Sequence, residues 1–139
     1  MFRKLMSVAI LIALLAAALP TAGVLADGSR RDYLETRWDK LTTTYNLQIF
    51  KHERTHKEVA NWLADHKTLS ATEMAKIQVH LKACDSTYKS AQLMIANHPG
   101  FDAKGKVTDV ALATKSVKNL AMYLEQHAAT IGALKDHMK

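Results

Sequence analysis

The chain has 139 residues, of which 48% are hydrophobic and 23% are charged, and its formal net charge is +6. This length suits one domain, so two-domain dinucleotide-binding enzymes, (β/α)8 barrels and kinases are excluded. Five glycines and two prolines are few for an all-β fold with many tight turns. The apolar content is also too high for a disordered chain.

The first 26 residues have the pattern of a secretory signal. Arg3 and Lys4 precede an apolar run over residues 5–19, which Pro20 ends. Small residues up to Ala26 form a cleavage site, so the mature chain is expected to begin at Asp27. A membrane-spanning helix needs about 20 apolar residues, which disfavours a retained anchor. The sequence therefore predicts export through a cleaved signal peptide, to the periplasm or out of the cell.

Residues 27–139 are expected to form a single domain that carries 17 basic and 13 acidic residues. This modest excess lacks the dense basic stripe of a nucleic-acid-binding protein, so no nucleic-acid partner is predicted. A basic face could still meet a partner protein or an anionic membrane. Its residues would be Lys76, Lys82, Lys89, Lys115 and Lys118.

Apolar residues recur at three- and four-residue steps in three stretches, which predicts three helices. The first covers residues 30–66, with an apolar stripe that includes Leu34, Trp38, Leu41, Tyr45, Ile49, Val59 and Leu63. Three β-branched residues in a row, Thr42, Thr43 and Thr44, lower helix propensity and could break this helix in two.

The second helix is expected to begin after Ser70, because Ser70 and Glu73 have the spacing of a capping box. It should end near Asn97, before a His-Pro-Gly sequence, and the third helix should cover residues 108–137. Short connections make consecutive helices antiparallel neighbours. The predicted fold is an all-α, up-down antiparallel bundle of three long helices, or of four if the first one breaks.

Two pairs of metal-binding residue types fall on the inner faces of these helices. His52 and His56 lie four residues apart within the apolar stripe of the first helix, and His80 and Cys84 have the same spacing in the second. A hairpin that turns near residues 68–69 brings the two pairs to the same height. The sequence thus predicts a metal site of three histidines and one cysteine, a ligand set that suits Zn or Cu.

Three further residues could contribute to such a site, and the histidines also have an explanation without a metal. His127 is expected a turn or two too high on the third helix and is kept as a reserve ligand, while Asp85 and Glu53 could orient the imidazoles. Alternatively, the histidines are hydrogen-bonded core residues without a metal. Cys84 is the single cysteine, so it is a buried residue, a ligand or an intermolecular bridge, and a homodimer remains open.

The sequence His52-Glu53-Arg54-Thr55-His56 matches H-E-x-x-H and so resembles the zinc-binding helix of the zincin metallopeptidases. The resemblance implies that both histidines bind zinc and that Glu53 is the general base. It covers five residues only. No strand-rich half precedes the motif, and the downstream third-ligand candidates, Glu73 and His80, lie in no second motif. A zinc metallopeptidase is therefore the third functional hypothesis, and no catalytic residue other than Glu53 is predicted.

Haem is disfavoured as a cofactor. The chain has no C-x-x-C-H sequence for covalent attachment, although His52 and Met122 could serve as axial ligands of a bundle haem. The leading hypothesis is an exported, non-catalytic helical bundle that binds Zn or Cu through His52, His56, His80 and Cys84. A secreted interaction module with a basic face and no metal is the alternative.

Overall fold

Three helices form the part of the chain that the computed structural model describes, residues 27–139. They are α1 (Asp27–Asp65), α2 (Ala71–Asn97) and α3 (Val110–His137). α3 packs extensively against both α2 and α1, whereas α1 and α2 touch only sparsely. The predicted three-helix bundle is confirmed. The predicted signal segment, residues 1–26, lies outside the described residues. None of the helices described has the length and apolar character needed to cross a membrane.

α1 is one unbroken helix, so the alternative of a fourth helix is wrong. The Thr42 hydroxyl donates to the carbonyl oxygen of Trp38, and the Thr44 hydroxyl donates to that of Lys40, both at 2.9 Å. These bonds return the hydroxyls to carbonyl groups one turn back in the same helix, a contact that destabilises a helix only slightly. Leu41 and Tyr45, on either side, are buried in the core. Tertiary burial therefore outweighs the low helix propensity of the threonines.

The ends of α2 follow the local sequence. Ser70 caps its first turn, because Glu73 N donates to Ser70 Oγ at 3.2 Å and Ser70 N donates to Glu73 Oε2 at 3.0 Å. The predicted capping box is thus confirmed. His98 follows the last turn with a left-handed φ of 32°, and its N–H donates to the Met94 carbonyl.

Two apolar clusters fill the bundle. One lies toward the α2–α3 loop and extends from Leu34 to Leu124, and the other lies near the opposite end around Cys84 and Leu134. Gln48 and His127, both buried, belong to neither cluster. Along α3, His127 falls between Leu124 of the first cluster and Ile131 of the second. A polar layer therefore separates two dry regions of the core.

The α2–α3 loop folds against the start of α3. Gly100 has a φ of +84°, and a Cβ there would lie 2.2 Å from the backbone nitrogen of Ala113. The Ser116 hydroxyl donates to the Pro99 carbonyl at 2.7 Å. Residues 99–100 therefore lie alongside the first two turns of α3, where only glycine fits at position 100.

Replacing Gly100 with Ala should destabilise the fold by about 2 kcal/mol or more, because the new methyl group meets helix backbone at a left-handed φ. Gly132→Ala is the matched control: that glycine lies inside α3 with nothing within 4 Å of a Cβ, so helix propensity should stabilise the chain by about 0.5–1 kcal/mol. Urea unfolding of both variants checks the prediction. Equal stability for the two would contradict the described loop packing.

Candidate metal centre

Each helix contributes one residue to a cluster at the polar layer: His52 from α1, His127 from α3, and Cys84, a member of the second apolar cluster, from α2. His52 Nδ1 lies 2.9 Å from His127 Nε2 and 3.6 Å from Cys84 Sγ. Cys84 and His127 are 0% exposed. We call these three residues the inner group; one ligand atom from each lies within 4.8 Å of the other two, so the group could hold a metal ion.

The hydrogen bonds of Gln48 determine which nitrogen of the His127 ring carries the proton and which one has a free lone pair. Gln48 Nε2 donates to the Leu124 carbonyl at 3.0 Å, so Gln48 Oε1 faces His127 Nδ1, 2.6 Å away. An amide oxygen can only accept, and therefore His127 Nδ1 carries the proton. Nε2 then presents its lone pair to His52 and Cys84. Metal-ligating histidines are commonly oriented in this way, by a hydrogen bond from the other ring nitrogen.

Ring stacking and a hydrogen bond hold the side chain of His52 in place. Its ring stacks on that of Tyr88, with centroids 4.0 Å apart and an interplanar angle of 11°. Because His127 Nε2 is an acceptor, His52 Nδ1 donates to it in the absence of a metal. The remaining nitrogen, His52 Nε2, has a free lone pair and lies 3.5 Å from Asp85 Oδ1.

Burial keeps the inner group uncharged. Desolvation, with help from the nearby His52, lowers the pKa of His127 to about 4, and desolvation also lowers the pKa of His52. Desolvation raises the pKa of the Cys84 thiol, against the effect of a hydrogen bond with Thr130. Two neutral imidazoles and a neutral thiol therefore make up the inner group at neutral pH.

A second cluster shares His52 and lies nearer the solvent. His56 Nε2 is 2.7 Å from Asp85 Oδ1, and the rings of His52 and His56 have centroids 4.6 Å apart. The side chains of His56 and Asp85 are 38% and 54% exposed. We call His52, His56 and Asp85 the outer group; it too could hold an ion.

The four residues predicted as ligands separate in the structure. His52 and Cys84 come together in the inner group, and His56 joins His52 in the outer group. His80 belongs to neither group among the described residues; its ring lies against that of His137, with centroids 5.0 Å apart. The predicted orienting role of Asp85 agrees with its contacts to both histidines of α1.

His127 stands closer to the site than the sequence suggested. Equal distances from the α2–α3 turn would put His127 level with His80, one helical turn away from Cys84. The loop is not symmetrical, however, because residues 99–100 pack along the first turns of α3 near Ala113 and Ser116. This packing shifts α3 along α2, so that His127 meets His52 and Thr130 meets Cys84. The expectation that His127 lies too high was therefore wrong.

Other candidates occupy the surface. Glu53 is exposed, as are the five lysines of the predicted basic face, and Glu73 serves as the capping residue of α2. Cys84 is too deeply buried to bridge to a second chain without opening the bundle. Thr55, one turn beyond His52, is 1% exposed, and its hydroxyl has no hydrogen-bond partner among the described residues.

Comparison with known proteins identifies no relative. The chain matches no protein family, no curated protein and no solved structure.

The lowered pKa of His127 makes stability depend on pH. In the unfolded chain this histidine takes up a proton near its ordinary value of 6.5, but in the fold only near 4. The unfolded state thus binds more protons between these values, and stability should fall as pH drops from 6.5 to 4. The shift corresponds to about 3 kcal/mol.

Chemical unfolding of the metal-free protein at a series of pH values checks this expectation. His127→Gln should flatten the dependence, whereas His66→Gln, at an exposed position just after α1, should retain it. An NMR titration in which the His127 ring protonates near pH 6.5 would contradict the described burial.

Proposed function

We propose that this protein is an exported, non-catalytic metal-binding protein that holds one Zn(II) or Cu ion in the inner group. The observation that carries the proposal is the convergence of His52, Cys84 and His127 from three different helices in a buried layer. Export rests on the sequence pattern of residues 1–26.

The separations of the donor atoms support the proposal. Zinc bonds to nitrogen and thiolate sulfur in a tetrahedral site put those two atoms about 3.6 Å apart and two nitrogens about 3.3 Å apart. His52 Nδ1 and Cys84 Sγ are 3.6 Å apart. His52 Nδ1 and His127 Nε2, at 2.9 Å, need to separate only slightly. For these two pairs, small ring movements would therefore suffice to accommodate the ion; the donor atoms of the third pair, Cys84 and His127, lie within 4.8 Å of each other.

The protons of the group can also be accounted for. His127 already presents an unprotonated Nε2. His52 would free Nδ1 by moving its proton to Nε2, where Asp85 is placed to accept a hydrogen bond. The Cys84 thiol would lose its proton to solvent, so binding should weaken as pH falls. Asp85, His52 and the ion would then form the carboxylate–histidine–metal arrangement common in metal sites.

The donor types favour Zn(II) or Cu over a harder ion. Imidazole and thiolate suit these two metals, whereas Mg²⁺ and Ca²⁺ prefer oxygen. The three donors of the inner group leave one position of a tetrahedral ion for water. Deep burial keeps substrate away from that position, which favours a holding role over catalysis. Both Cys84 and His127 lack exposed surface. The Thr55 hydroxyl, one turn along α1 from His52, is also buried and has no hydrogen-bond partner within residues 27–139.

Cobalt(II) provides the test, because a thiolate ligand gives Co(II) a charge-transfer absorption that imidazole and carboxylate ligands do not. The wild-type chain should show this band at one equivalent. Cys84→Ser should abolish it, and His127→Gln should weaken binding at least about tenfold. His80→Ala is the matched control, since His80 lies one turn from Cys84 but outside the inner group; its band should be unchanged.

Metal content and stability give an independent readout. Zn at about a hundred times its Kd should raise the unfolding free energy of the wild-type chain by about 2.7 kcal/mol, and a chelator should reverse the gain. A wild-type chain that shows neither the Co(II) band nor this stabilisation would refute metal binding by the inner group. The interaction-module alternative would then be favoured.

Export predicts a particular mature end. Protein recovered from the medium or periplasm should begin at Asp27, as N-terminal sequencing or intact mass would show. Ala26→Gln should leave uncleaved precursor, because the position before the cut requires a small residue. Recovery of the exported wild-type chain with residues 1–26 still attached would argue against cleavage.

A further inference from the structure

The outer group has the ligand types, spacing and exposure of a metal site of its own. Asp85 Oδ1 lies 2.7 Å from His56 Nε2 and 3.5 Å from His52 Nε2. Ligands of one ion, at about 2.0–2.2 Å from it, lie about 3–3.5 Å apart. Modest movements would therefore admit a metal once the proton that His56 Nε2 donates to Asp85 moves to Nδ1 of the same ring. The three residues come from two helices that otherwise touch little.

The two groups share one imidazole. His52 faces the inner group with Nδ1 and the outer group with Nε2. A neutral imidazole has a single lone pair. In the metal-free network Nδ1 carries the proton and donates to His127, so the lone pair is on Nε2. The metal-free chain therefore offers His52 to the outer group first.

Exposure gives the two groups different access to solvent. The side chains of His56 and Asp85 are 38% and 54% exposed, whereas Cys84 and His127 have no exposed surface. His52, at 14%, lies between them. An ion arriving from solvent meets the outer group before it can reach the inner one.

We propose that His52, His56 and Asp85 form a second, solvent-facing site for a divalent transition-metal ion, which captures the ion before it passes to the inner group. Passage needs no second protein: His52 takes up a solvent proton at Nε2 as it releases the proton on Nδ1, the Cys84 thiol releases its proton to solvent, and the ion exchanges one nitrogen of the same ring for the other. The inference rests on the proposed function for the destination of the ion, but the capture site is testable without it.

The first experiment removes the inner thiolate. With Co(II) or Zn(II) as the probe, Cys84→Ser should still bind about one ion, without the charge-transfer band. Adding His56→Ala should weaken this binding at least about tenfold, because His56 belongs to the outer group alone. Adding His80→Ala instead is the control for adventitious binding near His80 and His137, and it should change nothing.

A second control separates ligation from charge. Asp85 and Glu53 both act on His52 through their negative charge, but Glu53 belongs to neither group. In the Cys84→Ser background, Asp85→Asn should weaken binding and Glu53→Gln should not. The outer site is refuted if Cys84→Ser binds no ion. It is also refuted if the affinity of Cys84→Ser for the ion is the same with and without His56→Ala and Asp85→Asn.

The capture role is tested by rate in chains that retain Cys84. Stopped-flow growth of the Co(II)–thiolate band should slow several-fold in His56→Ala, while its final amplitude stays the same. An unchanged rate would overturn the capture role.

The outcomes for the two proposals remain distinguishable. Suppose that the wild-type chain shows the Co(II)–thiolate band and that metal binding by Cys84→Ser is unchanged when His56→Ala is added. This result would refute the outer site and leave the inner one intact. Suppose instead that the wild-type chain binds an ion without showing the band and loses that ion only when His56→Ala is introduced. This result would refute the inner site and support the outer one.

Discussion

The buried hydrogen-bond chain from the Leu124 carbonyl through Gln48 and His127 to His52 is the constraint on which the rest of the site depends. It crosses the bundle between two apolar clusters. Each donor in it faces an acceptor, so the orientation of the Gln48 amide determines the tautomer of both imidazoles. The backbone of α3, through one carbonyl oxygen, thereby decides which nitrogen atoms remain free to bind a metal.

Such a layer is costly unless all of it is paired. A buried donor or acceptor without a partner costs about 1–3 kcal/mol. The layer contains several buried donors and acceptors, and those of Gln48 and His127 are paired. Burial lowers the pKa of His127, so its imidazole stays neutral and keeps a lone pair available. Burial also raises the pKa of Cys84, so its thiol would have to lose a proton before the sulfur could bind a metal.

Local sequence signals predicted most of the fold. The capping box at Ser70 and Glu73 and the His-Pro-Gly sequence after Asn97 mark the ends of α2 because they act within one turn of the chain. The threonines at 42–44 wrongly indicated a break in the first helix, because helix propensity is a weak local effect and the burial of Leu41 and Tyr45 overrides it. His52 and Cys84 could be paired from the sequence because a short turn relates α1 and α2 almost symmetrically.

What the sequence by itself determined is which residues face inward on each helix, because helical periodicity is a property of the chain alone. Only the tertiary structure decided the relative height of α3, which depends on how residues 99–100 pack against Ala113 and Ser116. That packing brings His127 to His52 and leaves His80 beside His137. Inter-helix register is set by side-chain and loop contacts between distant residues, and no spacing within a single helix encodes it.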